Sequence, residues 1–393
     1  MATHQRVKVA RSDIVGSLLR PEYLLEAKQA MRAGKMSQDQ LREIEDRAVR
    51  EAIALQESVG LDVISDGEFR RQTWVALIPL FDDPLYRAPV SGFEFKEADA
   101  GWWALWKEPS GRHVDPVEFR RQFRLTKEPF ITQKLRPNRD IVKDEYEFLQ
   151  KNARARTKFN IPAPSWHRIF WHKEFSTQAY PTSDDFIRDV ARILREEIVA
   201  KLLTLGCDYI QLDAPNYAQW HIDPENRDAF EQHGHDMAHE LEADAEFDNS
   251  VFAGIKGITR AIHICRGNAP DGRWLASGGY EIISRQVFHR LTNFDTLLLE
   301  YDSARAGSFY PLRDVLPHHN AVLGLITTKN AALESAADVE ARIREATKYV
   351  PLERLALSPQ CGFASGEMAH TMAATAQEAK LRLVSQVARN VWG

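Results

Sequence analysis

The chain reads as an α/β protein, a (β/α)8 or TIM barrel with a long insertion after the second strand, on three observations. Short apolar runs alternate with amphipathic helical patterns, the signature of a parallel sheet wrapped by helices. Eight such runs can be counted, and eight is the number that closes this barrel. Polar or reactive residues stand at the C-terminal end of nearly every run: Ser17, Glu68, Asp213, His263 with Cys265, Glu300 and Cys361. Barrel enzymes build their active sites at that end, and polar residues scattered for structural reasons would not select it on separate strands.

Taken in order, the runs span 7–15, 61–65, 158–162, 209–212, 261–265, 296–300, 321–326 and 355–358. Ahead of the second, Ser37-x-x-Gln40 offers a capping box to a helix that carries Leu41, Ile44, Ala48, Ala52 and Leu55 at helical spacing and stops at Gly60. Ahead of the fourth, Ser183 is the expected N-cap of a helix with Phe186, Val190, Ile193, Leu194, Ile198, Leu202 and Leu205 inward and Gly206 as its stop. Its outer face carries Arg188, Arg192, Arg195, Glu196 and Lys201. The spacing departs from a plain barrel at the insertion, residues 69–157, which is far longer than one strand-to-helix connection. That insertion holds the stretch Gly101-Trp102-Trp103-Ala104-Leu105-Trp106 and the charged segment 117–127. It reads as a lid or the contact of a homo-oligomer, or equally as an added hairpin packed on the barrel, with the tryptophans serving packing.

At 393 residues the expectation is one elaborated catalytic domain, 1–393, with the insertion inside it. Lys+Arg of 51 against Asp+Glu of 56 gives a net charge of -5, which supplies no basic field for nucleic acid or anionic lipid. The partner is then a small molecule. No apolar run approaches the ~20 residues of a membrane span. Three cysteines are too few for a disulfide framework, and the polar N-terminus lacks the apolar core of a signal peptide. A cytoplasmic protein with reduced thiols is expected.

The chemistry concentrates in Ala261-Ile262-His263-Ile264-Cys265-Arg266-Gly267-Asn268. Residues two apart on a strand project to the same side, so His263 and Cys265 could grip one ion, with Cys361 in Ser358-Pro359-Gln360-Cys361-Gly362 as a second thiolate. Imidazole with thiolate favours zinc over magnesium or calcium, which want oxygen ligands. Alone, His-x-Cys also describes a buried histidine beside a small core cysteine. A rival lies in His235-Asp236-Met237-Ala238-His239, two histidines at helical spacing in the manner of a metalloprotease helix, against a plain solvated helix. Cys207 reads as a buried small residue, and no role attaches to His318 and His319.

Together, Val15-Gly16-Ser17-Leu18-Leu19-Arg20-Pro21, Gly60-Leu61-Asp62-Val63-Ile64-Ser65-Asp66-Gly67-Glu68, Gln211-Leu212-Asp213-Ala214-Pro215, the His263/Cys265 pair and Ser358-Pro359-Gln360-Cys361-Gly362 carry a resemblance over almost the whole chain. The set resembles the catalytic barrel of cobalamin-independent methionine synthase, and most closely its short, single-barrel relatives. That group includes the zinc-dependent epoxyalkane:coenzyme M transferases. The resemblance implies Zn2+ held by His263, Cys265, Glu300 and Cys361, with Glu281 a weaker substitute for Glu300 because the gap after Cys265 is longer here. It implies that Ser17 and Glu68 hold the carboxylate and amine of homocysteine and that Asp213 adds a contact to the amine. Arg20 stands where it could approach an anionic group.

The implied activity is zinc-dependent transfer of a methyl group to a thiol such as homocysteine, within methionine biosynthesis. The alternatives are alkylation of coenzyme M by an epoxide, or a barrel with purely structural zinc. Two departures bear on this. Ala214 stands where these synthases usually have a glutamate, removing one acidic group beside the amino-acid site. Thr327-Thr328-Lys329-Asn330 replaces the segment that carries the family's proton-donating histidine, which bears on direct use of methyltetrahydrofolate.

Overall fold

Ten strands organise the described residues: β1 (Val63–Ile64), β2 (Val90–Lys96), β3 (Glu128–Pro137), β4 (Arg156–Thr157), β5 (Phe159–Pro162), β6 (Tyr209–Asp213), β7 (Thr259–Ile264), β8 (Thr296–Glu300), β9 (Asn320–Ile326) and β10 (Leu355–Pro359). They are taken from a computed structural model that describes residues 9–78, 88–96, 127–232, 234–268, 274–369 and 371–393. One parallel sheet runs in the order β10-β9-β8-β7-β6-β5, and β1 pairs in parallel with β4. Only Lys158 separates β4 from β5, so the two act as one stave between β1 and β6.

Residues 11–13 close the ring. Ser12 bridges Leu357 of β10 in parallel, and the Asp62 amide, just before β1, donates to the Ser12 carbonyl at 3.1 Å. Every expected run therefore becomes a stave of a closed (β/α)8 barrel, but the first is held by a single bridge rather than a ladder. The reason is local. The amides of Arg11 and Ser12 donate to the Asp62 carboxylate at 2.6 and 3.2 Å, a side chain taking the place of strand carbonyls.

Inside the barrel, Val15, Val63, Tyr209, Ala261, Leu298, Val322 and Ala356 form a small cluster separate from the main core, one residue from each of seven staves. The remaining stave contributes Lys158 instead, whose ammonium donates to Asp13 at 2.8 Å and to the Gln211 side-chain oxygen at 2.7 Å. The main core lies between the staves and the surrounding helices.

The helix Gln38–Val59 begins with the expected capping box between Ser37 and Gln40 and ends at Gly60, whose φ of 80° is left-handed. The helix before β6 departs from expectation at its start. Thr182, not Ser183, is the cap, because Thr182 has extended backbone and its hydroxyl accepts from the Asp185 amide at 3.1 Å. Ser183 is the first helical residue, and the helix continues through a wider turn at Leu194–Val199 to Thr204.

The described part of the insertion contains an antiparallel hairpin of β2 and β3. Phe93 of that hairpin meets Phe170 and Phe186 edge-on at 6.1 and 6.2 Å between ring centres, which seats it against the barrel's helical layer. The tryptophan-rich stretch 101–106 and nearly all of the charged segment 117–127 lie outside the described residues.

The rival histidine pair is undone by a cap. The helix starts at Met237 with Asp236 as its N-cap, so His235 stands outside it and never shares a helical face with His239. His235 Nδ1 meets Glu240 at 2.9 Å and His239 Nε2 meets Asp184 at 2.8 Å, two contacts to unrelated carboxylates.

Candidate metal centre

Parallel strands present all their C-terminal ends at one mouth, and the polar residues of the expected set meet there. His263 is the penultimate residue of β7, in register with Asp213 at the end of β6. Cys265 follows β7 directly, Glu300 closes β8, and Cys361 comes two residues after β10. Gly324 of β9, in register with Glu300, lets these ends converge: a Cβ there would lie 2.8 Å from the Gln360 Cα.

One donor atom each from His263, Cys265, Glu300 and Cys361 lies within 4.8 Å of every other, and all four residues are buried. The two sulfurs are 3.4 Å apart, too far for a disulfide, and His263 Nε2 is 3.7 Å from Glu300 Oε1. Glu281 stays away from this group, its carboxylate accepting from the Ser308 hydroxyl. An imidazole, two thiols and a carboxylate at this spacing match the ligand number and type of a tetrahedral zinc site.

The donors are oriented from outside. His263 Nδ1 pairs with Asp213 Oδ1 at 3.2 Å, which turns Nε2 toward the sulfurs and Glu300. Gln211 donates to the same Asp213 oxygen at 2.7 Å. Gln360 donates to Glu300 Oε1 at 3.3 Å and is itself held by the amide and hydroxyl of Thr328. The Gly267 amide donates to Cys265 Sγ at 3.1 Å.

Burial pulls the His263 imidazolium down, but Asp213, Glu300 and the Cys265 thiol outweigh it and push its pKa up to about 10. For Glu300 burial opposes ionisation, yet His263, Arg305 and Lys329 hold it well below the usual carboxylate range. Hydrogen bonding with Cys361, then burial, pushes the Cys265 thiol well up. A cation entering this group must displace protons, so its affinity falls as pH falls.

A second group lies across the mouth. Glu68 has a φ of 60°, the one non-glycine left-handed residue among those described, and follows left-handed Gly67. Its amide donates to Asp66 Oδ1 at 2.8 Å, a turn that points the carboxylate into the barrel. Glu68 Oε1 accepts from the Asn160 side-chain Nδ2 at 3.3 Å and lies 3.8 Å from Arg71, while Oε2 is buried without a hydrogen-bond partner, as is Asn160 Oδ1. Burial, then Asp213 and Asp66, push the Glu68 pKa up to about 7 against the pull of Arg71 and Arg20.

Ser17 sits against the loop that carries Cys361: its carbonyl accepts from the Phe363 amide at 2.9 Å, and a Cβ on Gly362 would lie 2.0 Å from the Ser17 hydroxyl. Arg20 is placed differently from its expected approach to an anion. Its guanidinium donates to the carbonyls of Ala364, Glu68 and Arg71 at 3.1 to 3.3 Å, bracing the Glu68 turn. Lys329 reaches the metal side of the mouth, donating to the Gly267 carbonyl at 3.1 Å. Burial draws its ammonium down while Glu300 and Cys361 pull it back.

The residues that reading the sequence misses are mostly amides and arginines: Asn160, Gln211, Arg71 and Arg305. Asn160 and Gln211 left one trace, being polar residues inside otherwise apolar runs. Replacing Asp213 with asparagine keeps the shape but removes the charge behind His263, so zinc affinity measured by chelator competition is expected to fall about 10- to 100-fold. An unchanged affinity would remove Asp213 from the metal centre.

A family model described as the catalytic domain of cobalamin-independent synthase matches residues 12–80 and 181–390. The stretch it leaves out contains most of the insertion and the stave of β4 and β5. The Bacillus subtilis protein YxjH, which carries the description uncharacterized, is 34% identical over 400 residues, 99% of this chain and 96% of its own. The methionine synthase of Sulfolobus acidocaldarius is 23% identical over 361 residues, 91% of this chain and 86% of its own. A B12-independent methionine synthase from Shewanella sp. W3-18-1, solved in complex with selenomethionine, shares the fold with a TM-score of 0.70 over 98% of each chain, at 20% identity.

Proposed function

The chain belongs to the cobalamin-independent synthase catalytic-domain family, and from that premise we propose that it is a zinc-dependent methyltransferase acting on an amine-bearing thiol such as homocysteine. The observation that carries this reading is the convergence of His263, Cys265, Glu300 and Cys361 within 4.8 Å at the barrel mouth. Zinc held by these four residues would supply the positive charge that lets a thiol act as thiolate at neutral pH, where a free one is mostly protonated.

The chain's own residues then bind and aim the substrate. Glu68 Oε2 and Asn160 Oδ1 are buried acceptors awaiting a donor, and the Asp213 carboxylate lies between them and His263. Such a group of acceptors suits an ammonium and repels a sulfonate. That supports homocysteine over coenzyme M as the thiol, even with Ala214 in place of a further acid. Ser17, beside the Cys361 loop, is the candidate contact for the substrate carboxylate. Arg20 acts through Glu68, holding its turn. Glu68 and Asp213 together fix one end of the substrate so that its sulfur meets the donor methyl in line, a gain of orientation.

We read 1–393 as a single catalytic domain with 69–157 as an insertion within it. No helix among the described residues is long and apolar enough to cross a membrane, and a cytoplasmic setting suits a site that needs reduced thiols.

The test is metal analysis followed by titration of cobalt-substituted protein with homocysteine and with coenzyme M, watching the ligand-field spectrum. A shift with homocysteine alone is expected. A shift with coenzyme M alone would favour epoxide opening, and one bound metal with no shift for either thiol would favour a structural site.

Glu68 adds a pH signature. Its pKa of about 7 means that the carboxylate is increasingly protonated below that pH and loses its hold on an ammonium. Homocysteine affinity is therefore expected to fall more steeply below pH 7 than loss of the thiol proton alone requires, by up to about a further tenfold per pH unit, and only this added slope is expected to vanish in Glu68→Gln. An added slope that survives in the variant belongs to another group.

A further inference from the structure

We propose that Arg305 is a positioning residue that receives Glu300 when a substrate thiol arrives, so that a centre filled by four protein donors can open to a fifth. This rests on the metal reading above. A structural zinc site keeps four protein ligands, whereas a catalytic one needs a position that substrate can take. One of the four donors has to yield.

Three of them have nowhere to go. His263 is pinned on its far nitrogen by Asp213, Cys265 accepts the Gly267 amide, and thiolates are the ligands zinc holds best here. Among the four, Glu300 is the one with a cationic side chain, Arg305, in an ion pair on the oxygen turned away from His263. Its Oε1 faces His263, while its Oε2 lies 3.4 Å from Arg305 Nη2, and both side chains are almost wholly shielded from water. Buried opposite charges attract far more strongly than exposed ones, so Arg305 competes with a metal for the same carboxylate.

Arg305 is itself held on several sides. Asp302 takes the same nitrogen at 2.9 Å, the Arg305 carbonyl accepts from the Gly278 amide at 3.0 Å, and the guanidinium lies over the Trp274 ring at 5.3 Å. Its contact to Asp302 is short and that to Glu300 long, so a small turn of the Glu300 carboxylate toward Arg305 would shorten the longer of the two. With a metal held by His263, Cys265, Glu300 and Cys361, the substrate sulfur would take the place that Glu300 gives up, and the thiol proton would pass to solvent. Glu300 remains ionised against Arg305. Residues 274–278 belong to the extra length between Cys265 and Glu300, and they are what hold the receiver in place.

The test uses the full-length protein as wild type, Arg305→Gln, Arg305→Lys and Asp302→Asn. Zinc affinity is measured by chelator competition, and thiol entry by homocysteine titration of the cobalt form. Arg305→Gln is expected to bind zinc more tightly, on the order of tenfold, and to need about tenfold more homocysteine for the spectral shift. Arg305→Lys should restore most of the wild-type behaviour. Asp302→Asn frees the guanidinium, so zinc binding should weaken and homocysteine enter more easily. A purely structural Arg305 predicts the opposite sign: looser zinc in Arg305→Gln, which would overturn the inference, as would unchanged zinc and thiol binding. If Arg305→Gln does not fold, Asp302→Asn decides by the direction of its zinc affinity. Wild-type protein that binds no metal would sink the metal reading and this inference with it. Metal binding with no effect of Arg305 would sink the inference alone.

Discussion

On the zinc-dependent function proposed above, replacing Cys361 with serine is expected to leave a folded protein that no longer retains zinc and methylates a thiol at least about 10³-fold more slowly. The serine fits, since Cys361 is buried beside Gly362 and the change removes little volume. A serine hydroxyl stays protonated at neutral pH and is a poor zinc ligand beside His263 and Cys265. Three donors would remain, with less negative charge to hold a divalent ion. Activation of the thiol by a metal is worth several kcal/mol, and about 4 kcal/mol corresponds to 10³ in rate. The checks are zinc content per chain, far-ultraviolet circular dichroism for folding, and product formation. Full zinc content in the folded variant would show that Cys361 is not a ligand.

The second large effect concerns stability. Lys158→Met is expected to cost about 3–5 kcal/mol of unfolding free energy, because it leaves the Asp13 carboxylate charged and stranded inside the barrel. Lys158 is 1% exposed and Asp13 1%. Asp13 would keep the Tyr209 hydroxyl and the Ile14 amide, neither of them a cation, and Gln211 would lose the ammonium that its side-chain oxygen accepts from. Urea denaturation measures the loss. Adding Asp13→Asn to Lys158→Met removes the stranded charge, so the double variant should recover part of the stability. If Lys158→Met alone costs under about 1 kcal/mol, the pair does not hold the barrel's interior together.

The effect should reach the site as well. Gln211 bonds Lys158 through its oxygen and Asp213 through its nitrogen, and Asp213 bonds His263. A column of side chains thus runs from the floor of the barrel to the metal centre, and disturbing its foot should loosen the orientation of His263.

Much of this architecture is written locally. The periodicity that marks a stave or a helix is a property of neighbouring residues, so all eight runs emerge as staves and the Ser37/Gln40 cap forms where its spacing places it. Local signals were ambiguous where two neighbours could do the same work. Thr182 and Ser183 both carry a hydroxyl, and only the backbone at Thr182 selects the cap. His235 and His239 share helical spacing, and only the start of the helix at Met237 separates them.

By itself, then, the sequence determined the barrel and the end of it where polar residues gather, while the family resemblance implied His263, Cys265, Glu300 and Cys361 as a candidate set. Only the tertiary structure decided that Cys265 and Cys361, 96 residues apart, stand 3.4 Å from each other. It also placed Glu300 rather than Glu281 beside His263 and the two cysteines, turned Arg20 onto backbone carbonyls, and brought Asn160, Gln211 and Arg305 to the same mouth. The physical reason is that periodicity and capping act within a few residues, whereas ligand distances, desolvation and charge pairing depend on which strand ends ring closure brings to one mouth.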